Sequence, residues 1–503
     1  MKKRLGARNW LLAVLSALLL VLAFPRFSLA FLAPFALAPL LVAVAGEPSP
    51  RKRFLLGWVA GVIFWFGVCY WIQFVLAYHG GLGEAGGWAV FLLFCVIKAI
   101  HMGVFAMAAG VLMRGWWAVP AVAALWVGIE WTHNYLGFAW LALGNAAIGM
   151  SIPLRLAPYT GVYGVSFVFM MMATALAVSE LRRPRLELAW LASLLFLPLL
   201  PAMPQPQRAR ESAVLVQPNV GMEDEWTAES VDLLHRRLAG LSLQTAASAP
   251  PGETPSIIVW PEVPAPLYYE GDPRFREYVN ALARTTGAYA LVGTVAHLPD
   301  GRPLNSAQLV SPAGKPVSRY DKMNLVPFGE FVPWPLGAVA QKISTEVGDF
   351  VPGSRLVVSP VGQHRIGAFI CYESVFPDFV RRFAAGGAEV LFNLSNDGYF
   401  GRTAAREQHL DIVRMRAVEN RRWILRATND GRTATIDPAG RIRAQLKPYE
   451  QAAQRTGFTY ITEQTLYTRA GDWFPILCGV TSLGLLGWVR RVRAVWLSAN
   501  APH

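Results

Sequence analysis

The chain has 503 residues, a net charge of +13, 54% hydrophobic residues and 16% charged residues. That length exceeds one ordinary domain, and the charged share lies below the roughly 25% usual in soluble proteins. The basic excess does not call for nucleic acid, because much of it sits in short clusters beside apolar runs, where membrane topology accounts for it.

The apolar residues are unevenly spread. Residues 9–203 are almost all apolar, 210–470 read like a soluble protein, and 473–489 are apolar again. A spanning helix needs about 20 apolar residues. Eight runs are candidates, near 9–24, 27–45, 54–78, 88–112, 117–137, 159–178, 186–203 and 473–489. Basic clusters alternate along them: Lys2, Lys3, Arg4 and Arg8; Arg51, Lys52 and Arg53; Arg114; Arg182, Arg183 and Arg185; then Arg490, Arg491 and Arg493. The opposite loops are poor in Lys and Arg apart from Arg26 and Arg155. The positive-inside rule then sets both termini in the cytoplasm and 204–472 on the outer side. The expected layout is seven spans in 1–203, a polar linker 204–211, a soluble domain 212–470, and an eighth span with a cytoplasmic tail in 471–503. Near the start, Ser28-Leu29-Ala30 after a basic, apolar segment also fits a cleaved signal peptide. The next apolar run begins at once, so retention is the expectation.

Lys98 and Glu130 are ionisable groups inside spans, where each is costly. Their depths match, so an ion pair is expected, either functional or fixing helix packing. Gly57 and Gly61 form a GxxxG spacing, read as close packing within the chain rather than dimerisation.

In the soluble segment, strand-like runs alternate with helix-like ones, which predicts an α/β domain. The strands are Ala213–Gln217, Ser256–Trp260, Ala288–Val295, Ser306–Val310, Ile366–Ile370, Val390–Asn393, Trp423–Ala427 and Thr433–Asp437. The helices are Thr227–Ala247, Pro273–Thr286, Ser374–Ala385 and Thr403–Glu419. Of four cysteines, Cys69, Cys95 and Cys478 lie in apolar runs and Cys371 lies in the soluble segment. No CxxC exists, and the eight scattered histidines show no ligand spacing. No metal, no cofactor and no Cys–His dyad are expected. Walker A, GxGxxG, HExxH and GxSxG motifs are absent.

Three stretches carry candidate chemistry. Ile257-Ile-Val-Trp-Pro-Glu262 delivers a carboxylate at a strand end. Tyr320-Asp-Lys322 leads into an apolar loop that contains Glu330. Arg365-Ile-Gly-Ala-Phe-Ile-Cys371-Tyr-Glu373 ends a strand in a thiol. Glu262 could take the thiol proton. Lys322 could stabilise a thiolate and an oxyanion, with the backbone N–H of Tyr372 as a second donor. Singly, each has an ordinary reading as a solvated loop end or a buried thiol, and periodicity does not decide.

The trio resembles the Glu–Lys–Cys triad of the nitrilase (carbon–nitrogen hydrolase) superfamily, which implies an αββα sandwich. Its place between a seventh and an eighth span resembles the apolipoprotein N-acyltransferase family, as do Lys322-Met-Asn-Leu-Val-Pro-Phe-Gly-Glu330-Phe-Val-Pro and Ser395-Asn-Asp-Gly-Tyr-Phe-Gly401. The resemblance implies Glu262 as base, Lys322 as charge stabiliser and Cys371 as nucleophile. It implies Glu330, Tyr372 and Glu373 as supporting residues, and Trp226, Asn305, Tyr372 and Tyr399 around the substrate. Tyr399 stands where some members carry Trp, which touches only the detail of acyl packing. The implied reaction takes the sn-1 acyl chain of a phospholipid, with phosphatidylethanolamine as expected donor. It passes through a Cys371 thioester to the α-amine of a diacylglyceryl-cysteine apolipoprotein, at the outer face of a bacterial inner membrane. Val263–Tyr269 and Phe331–Ala340 are expected as lids or a membrane-facing rim, or else as packed loops. Two other functions fit less of the sequence: a membrane-tethered amidase using water, and a transporter with a ligand-binding domain.

Overall fold

The structure, a computed structural model, describes residues 6–499 apart from 137, 183–184, 207–208, 223, 249–253, 263–264, 328 and 332–349. The chain divides into two units. One holds Met1–Tyr70, Ala89–Met203 and Ala470–His503, and the other holds Trp71–Trp88 and Pro204–Arg469.

The first unit is helical. Among the described residues four helices are long and apolar enough to cross a membrane: Pro50–Cys69, Gly83–Leu112, Val162–Glu180 and Trp473–Val492. Ala7–Ala23, Ala118–Thr132 and Leu186–Leu199 are shorter apolar helices. The eight expected spans therefore include four of full length. Prolines explain the second run, 27–45. Pro34 and Pro39 lack N–H donors, so the run breaks into a 3₁₀ turn at Ala30–Leu32 and a short helix, Ala38–Ala45, with Pro39 in its first turn. The third run also stops early, at Cys69. A wide turn, Val75–His79, follows it, closed by the Gly80 N–H on the carbonyl of Val75 (2.9 Å). The segment 71–88 belongs to the second unit.

Lys98 and Glu130 do not pair. Lys98 Nζ lies 5.2 Å from the Trp65 ring centre and has no hydrogen-bond partner among the described residues. Glu130 Oε1 accepts from Trp126 Nε1 (3.0 Å) and from the Leu143 N–H (2.7 Å). Glu130 thus ties its own helix to the Leu143 turn, a packing role.

The GxxxG spacing is a helix contact within the chain. A Cβ on Gly57 would lie 2.4 Å from the Met102 carbonyl oxygen, and one on Gly61 would lie 2.9 Å from the Ala99 Cβ. Because backbone is in the way, Gly57→Leu should destabilise the detergent-solubilised protein by about 1–3 kcal/mol, the usual cost of overpacking. Thermal unfolding against wild type measures it, and an unchanged midpoint with an altered oligomeric state would favour a dimer contact instead.

The second unit contains two six-stranded sheets. The strands are β1 (Glu211–Gln217), β2 (Ile257–Val259), β3 (Tyr289–His297), β4 (Pro303–Val310), β5 (Pro316–Asp321), β6 (Val358–Val361), β7 (His364–Ile370), β8 (Val390–Ser395), β9 (Ile424–Thr428), β10 (Ala434–Ile436), β11 (Ile442–Gln445) and β12 (Ala452–Phe458). The sheet orders are β12-β1-β2-β3-β4-β5 and β11-β10-β9-β8-β7-β6. In each sheet the central three strands are parallel. Alternation sorts β1: Ala213 and Leu215 join a core shared with Ile366, Ile370 and Leu391 of the other sheet. Val214 and Val216 join an outer core with Leu238, Val279 and Leu282 of the helices Ala228–Ala247 and Pro273–Thr286. The helices Pro377–Ala385 and Ala405–Asn420 contribute Phe383, Val413 and Ala417 against the second sheet. The layers are therefore helix, sheet, sheet, helix.

The eight expected strands are present with shifted ends. β5, β6, β11 and β12 were not legible, because their exposed and half-buried positions interrupt the apolar pattern. The helix expected from Ser374 starts at Pro377, after a 3₁₀ turn over Cys371–Val375.

Candidate active site

Glu262 follows β2 and Cys371 follows β7, both at the carboxyl ends of parallel strands, where loops rather than strand pairing decide the geometry. Pro261 and Glu262 lie tightly against β3. A Cβ on Gly293 would come within 2.4 Å of the Pro261 carbonyl oxygen, so only glycine lets the Pro261–Glu262 backbone approach that closely.

Lys322 leaves β5 with 1% exposure, which is untenable for an ammonium without partners. Its Nζ lies 2.9 Å from Glu330 Oε1 and 3.4 Å from Glu262 Oε1. Asn305 Nδ2 donates to both carboxylates, at 2.6 Å to Glu262 and 2.8 Å to Glu330. Their other oxygens are held by backbone: the Asn396 N–H donates to Glu262 Oε2 (2.9 Å) and the Val326 N–H to Glu330 Oε2 (2.7 Å). Burial opposes the charge on Lys322, but Glu262 and Glu330 hold its pKa well above the ordinary lysine value.

Cys371 adopts φ +49°, the left-handed region that a non-glycine residue occupies only when its surroundings hold it there. The strand thus turns sharply at the sulfur. The thiol is buried among the carboxylates, and burial, reinforced by Glu262, pushes its pKa above the ordinary thiol value; Lys322 pulls the other way. The resting group is a thiol rather than a thiolate.

Glu373 is fully buried. Its Oε1 accepts from Tyr320 Oη (2.6 Å), the Met323 N–H (2.7 Å) and the Asn324 N–H (3.1 Å), and its Oε2 accepts from the Ile370 N–H (2.8 Å). Burial pushes it up to about 7 against the Ile370, Tyr320 and Met323 donors and the charge of Lys322. It clamps the lysine loop to the end of β7, so it positions Lys322 and Cys371 together.

The remaining expected residues divide. Tyr399 is electrostatically coupled to Glu262, Glu330, Lys322 and Cys371; burial first, then Glu262, raises its pKa. Its ring meets His79 edge-on at 5.0 Å, and Trp71 and Phe74 of the same segment touch Phe400 and Gly401. Tyr372 packs its ring against Phe376. Trp226 sits half-buried against the outer core of the first sheet. In Val263–Tyr269, residues Ala265, Leu267 and Tyr269 are buried and the Leu267 carbonyl accepts from the Val295 N–H (2.8 Å). The described part of that stretch is a packed loop, not a rim. In the second expected lid, 332–340 lie outside the described residues.

Sequence reasoning missed a second buried network. Arg426 Nη2 donates to Asp397 Oδ1 (2.7 Å) and Oδ2 (2.8 Å). His409 Nδ1 lies 3.1 Å from Asp397 Oδ1, and its Nε2 lies 2.8 Å from Ser374 Oγ and 3.2 Å from the Cys371 carbonyl oxygen. Asp397 falls inside the quoted Ser395–Gly401 stretch, but His409 and Arg426 carry no motif. A histidine does contact the Cys371 residue, through its backbone.

Residues 16–175 match the family model described as the apolipoprotein N-acyltransferase N-terminal domain, and residues 224–457 match the carbon-nitrogen hydrolase model. An apolipoprotein N-acyltransferase of Geobacter metallireducens is 34% identical over 94% of this chain and 93% of its own length. One from Allorhizobium ampelinum is 30% identical over 90% of each. A solved amidase from Nesterenkonia aligns over 50% of this chain and 92% of its own, with 21% identity and a TM-score of 0.37. With two relatives of that identity along nearly the whole length, the chain belongs to the apolipoprotein N-acyltransferase family.

Proposed function

We propose that the protein moves the sn-1 acyl chain of a membrane phospholipid, with phosphatidylethanolamine as the expected donor, onto the α-amine of a diacylglyceryl-cysteine apolipoprotein, through a thioester on Cys371. The observation that carries this reading is the left-handed Cys371 at a strand end, coupled to Lys322 and Glu262, in a chain of this family. Glu262 is the base. As Cys371 Sγ attacks the ester carbonyl, its proton passes to Glu262 and the S–C bond forms. The oxyanion is met by Lys322 and the Tyr372 N–H. The C–O bond then breaks, and the proton moves from Glu262 to the leaving lysophospholipid oxygen. In the second half the α-amine attacks the thioester carbonyl. A C–N bond forms, the C–S bond breaks, and the amine proton returns to sulfur through Glu262. A sulfur nucleophile suits a transfer split in two.

Two charge features support these roles. The resting thiol needs a base at the moment of attack, and Glu262 is the carboxyl group that acts on it most strongly. The Lys322 charge is held by two carboxylates, so it is already in place when the oxyanion forms. Both substrates are lipids, which fits a catalytic unit carried between apolar helices. The basic clusters favour the inner membrane with both termini cytoplasmic and this unit outside.

Incubation with phospholipid alone should load one acyl group on Cys371, detectable by intact mass and released by hydroxylamine, and Cys371→Ala should load none. Adding a diacylated lipopeptide should then raise the peptide mass by that acyl group. Free fatty acid in place of modified peptide would point to the hydrolase alternative, and loading of the Cys371→Ala protein would end the thioester reading.

Charge should move the thiol in opposite directions. The pH profile of Cys371 alkylation, followed on its own peptide, should shift to lower pH in Glu262→Gln, because a negative neighbour is gone. It should shift to higher pH in Lys322→Met, because a positive one is gone. Acyl loading should nonetheless fall in both, by about 10²–10⁴-fold for Glu262→Gln as for loss of a general base. Parallel shifts in the two proteins would contradict these placements.

Gly293→Ala should push Pro261 and Glu262 outward and slow loading by about 100-fold, the scale expected for a misplacement near 1 Å. A loading rate equal to wild type would mean that the base tolerates the displacement.

A further inference from the structure

We propose that His409 is a positioning residue for the nucleophile: its Nε2–H, donated to the Cys371 carbonyl oxygen, holds Cys371 in the left-handed conformation that presents the sulfur. This rests on the reading of Cys371 as nucleophile given above.

Cys371 needs such a restraint, because at φ +49° a non-glycine residue relaxes unless its backbone groups are fixed. Its carbonyl oxygen lies 3.2 Å from His409 Nε2. A carbonyl can only accept, so in that bond Nε2 carries the proton; in a neutral ring Nδ1 is then an acceptor, matched by the Arg426 Nη2–H rather than by the accept-only Asp397 Oδ1. Ser374 Oγ, 2.8 Å from the same nitrogen, lies in the same turn, so the ring grips Cys371–Val375 at two points.

The ring itself cannot turn away. Nδ1 lies 3.1 Å from Asp397 Oδ1 and 3.2 Å from Arg426 Nη2, and Phe400 meets the ring edge-on at 5.7 Å. Asp397, Arg426 and His409 are all fully buried, and Arg426 Nη1 also donates to Asn393 on β8. The cluster is therefore anchored on β8, beside β7, and on β9 beyond it, not on a surface loop. Burial and then Arg426 hold His409 below the ordinary histidine pKa, so it is a neutral ring with one donor to aim. Asp397 follows Asn396, whose N–H holds Glu262. One turn, 396–397, thus positions the base directly and the nucleophile through His409.

Two substitutions separate positioning from plain packing. The amide of Gln reaches where Nε2 lies and can still donate to the Cys371 carbonyl, whereas the shorter Asn reaches only toward Asp397. Both lose the same ring contacts, so a structural role would affect them alike. In His409→Asn, acyl loading of Cys371 should slow by about 100-fold with the phospholipid KM within a few-fold of wild type, while His409→Gln should recover most of the rate. In wild-type protein labelled with ¹⁵N-histidine, the His409 signal, assigned through its loss in His409→Gln, should be that of the Nε2–H tautomer. An Nδ1–H tautomer, or wild-type loading by His409→Asn, overturns the inference. If His409→Asn does not fold, the tautomer decides. Should Cys371→Ala itself still load and transfer acyl groups, the nucleophile reading fails instead, which is a separate outcome.

Discussion

A lysine at 1% exposure between two carboxylates is the constraint on which the site depends. An ammonium so deeply buried is tolerable only with its charge compensated and its protons directed. Glu262 and Glu330 supply the charge. Each carboxylate must in turn satisfy its own lone pairs, which brings in Asn305 from β4, the Val326 N–H from the lysine loop and the Asn396 N–H from the turn after β8. The two sheets are therefore stitched at their carboxyl ends by one polar network. Taking Lys322 out would leave two neighbouring carboxylates without their counter-charge, at a cost of about 3–5 kcal/mol.

The same logic repeats on the other side of the sulfur. Asp397 sits against Arg426 and His409, and although burial alone would raise its pKa, Arg426 holds it well below the usual carboxylate range. A depressed carboxylate contributes stability above its unfolded pKa and loses that contribution as pH falls through the folded value. This network is thus fully formed at neutral pH. Glu373 forms a third anchor, joining the lysine loop to the strand that ends in Cys371. Three buried carboxylate centres surround one strained cysteine, and strain at such a residue persists only where several restraints agree.

The catalytic unit also takes in Trp71–Trp88, chain that leaves the apolar helix Pro50–Cys69. Its aromatic side chains meet Tyr399, Phe400 and Gly401, in the stretch that contains Asp397. A stretch read from hydropathy as the end of a span therefore packs on the Tyr399–Gly401 turn. Hydropathy measures how apolar a run is, and Trp71, Phe74 and Tyr78 satisfy a protein interior as well as they satisfy lipid.

Several features were determined by the sequence alone. Apolar runs marked the helical unit, alternation marked the central parallel strands, and strand ends marked Glu262 and Cys371, because these are local patterns of burial. The short loop from Tyr320 to Glu330 marked Lys322 with its motif. The tertiary structure decided what periodicity cannot carry. It separated Lys98 from Glu130, since matched depth does not set rotation about a helix axis. It folded Ala265–Tyr269 into the core. It brought His409 from one helix and Arg426 from β9 to the back of Cys371, 38 and 55 positions away along the chain. Contacts of that range leave no mark on neighbouring residues; they exist only once the sheets have fixed which strand ends lie side by side.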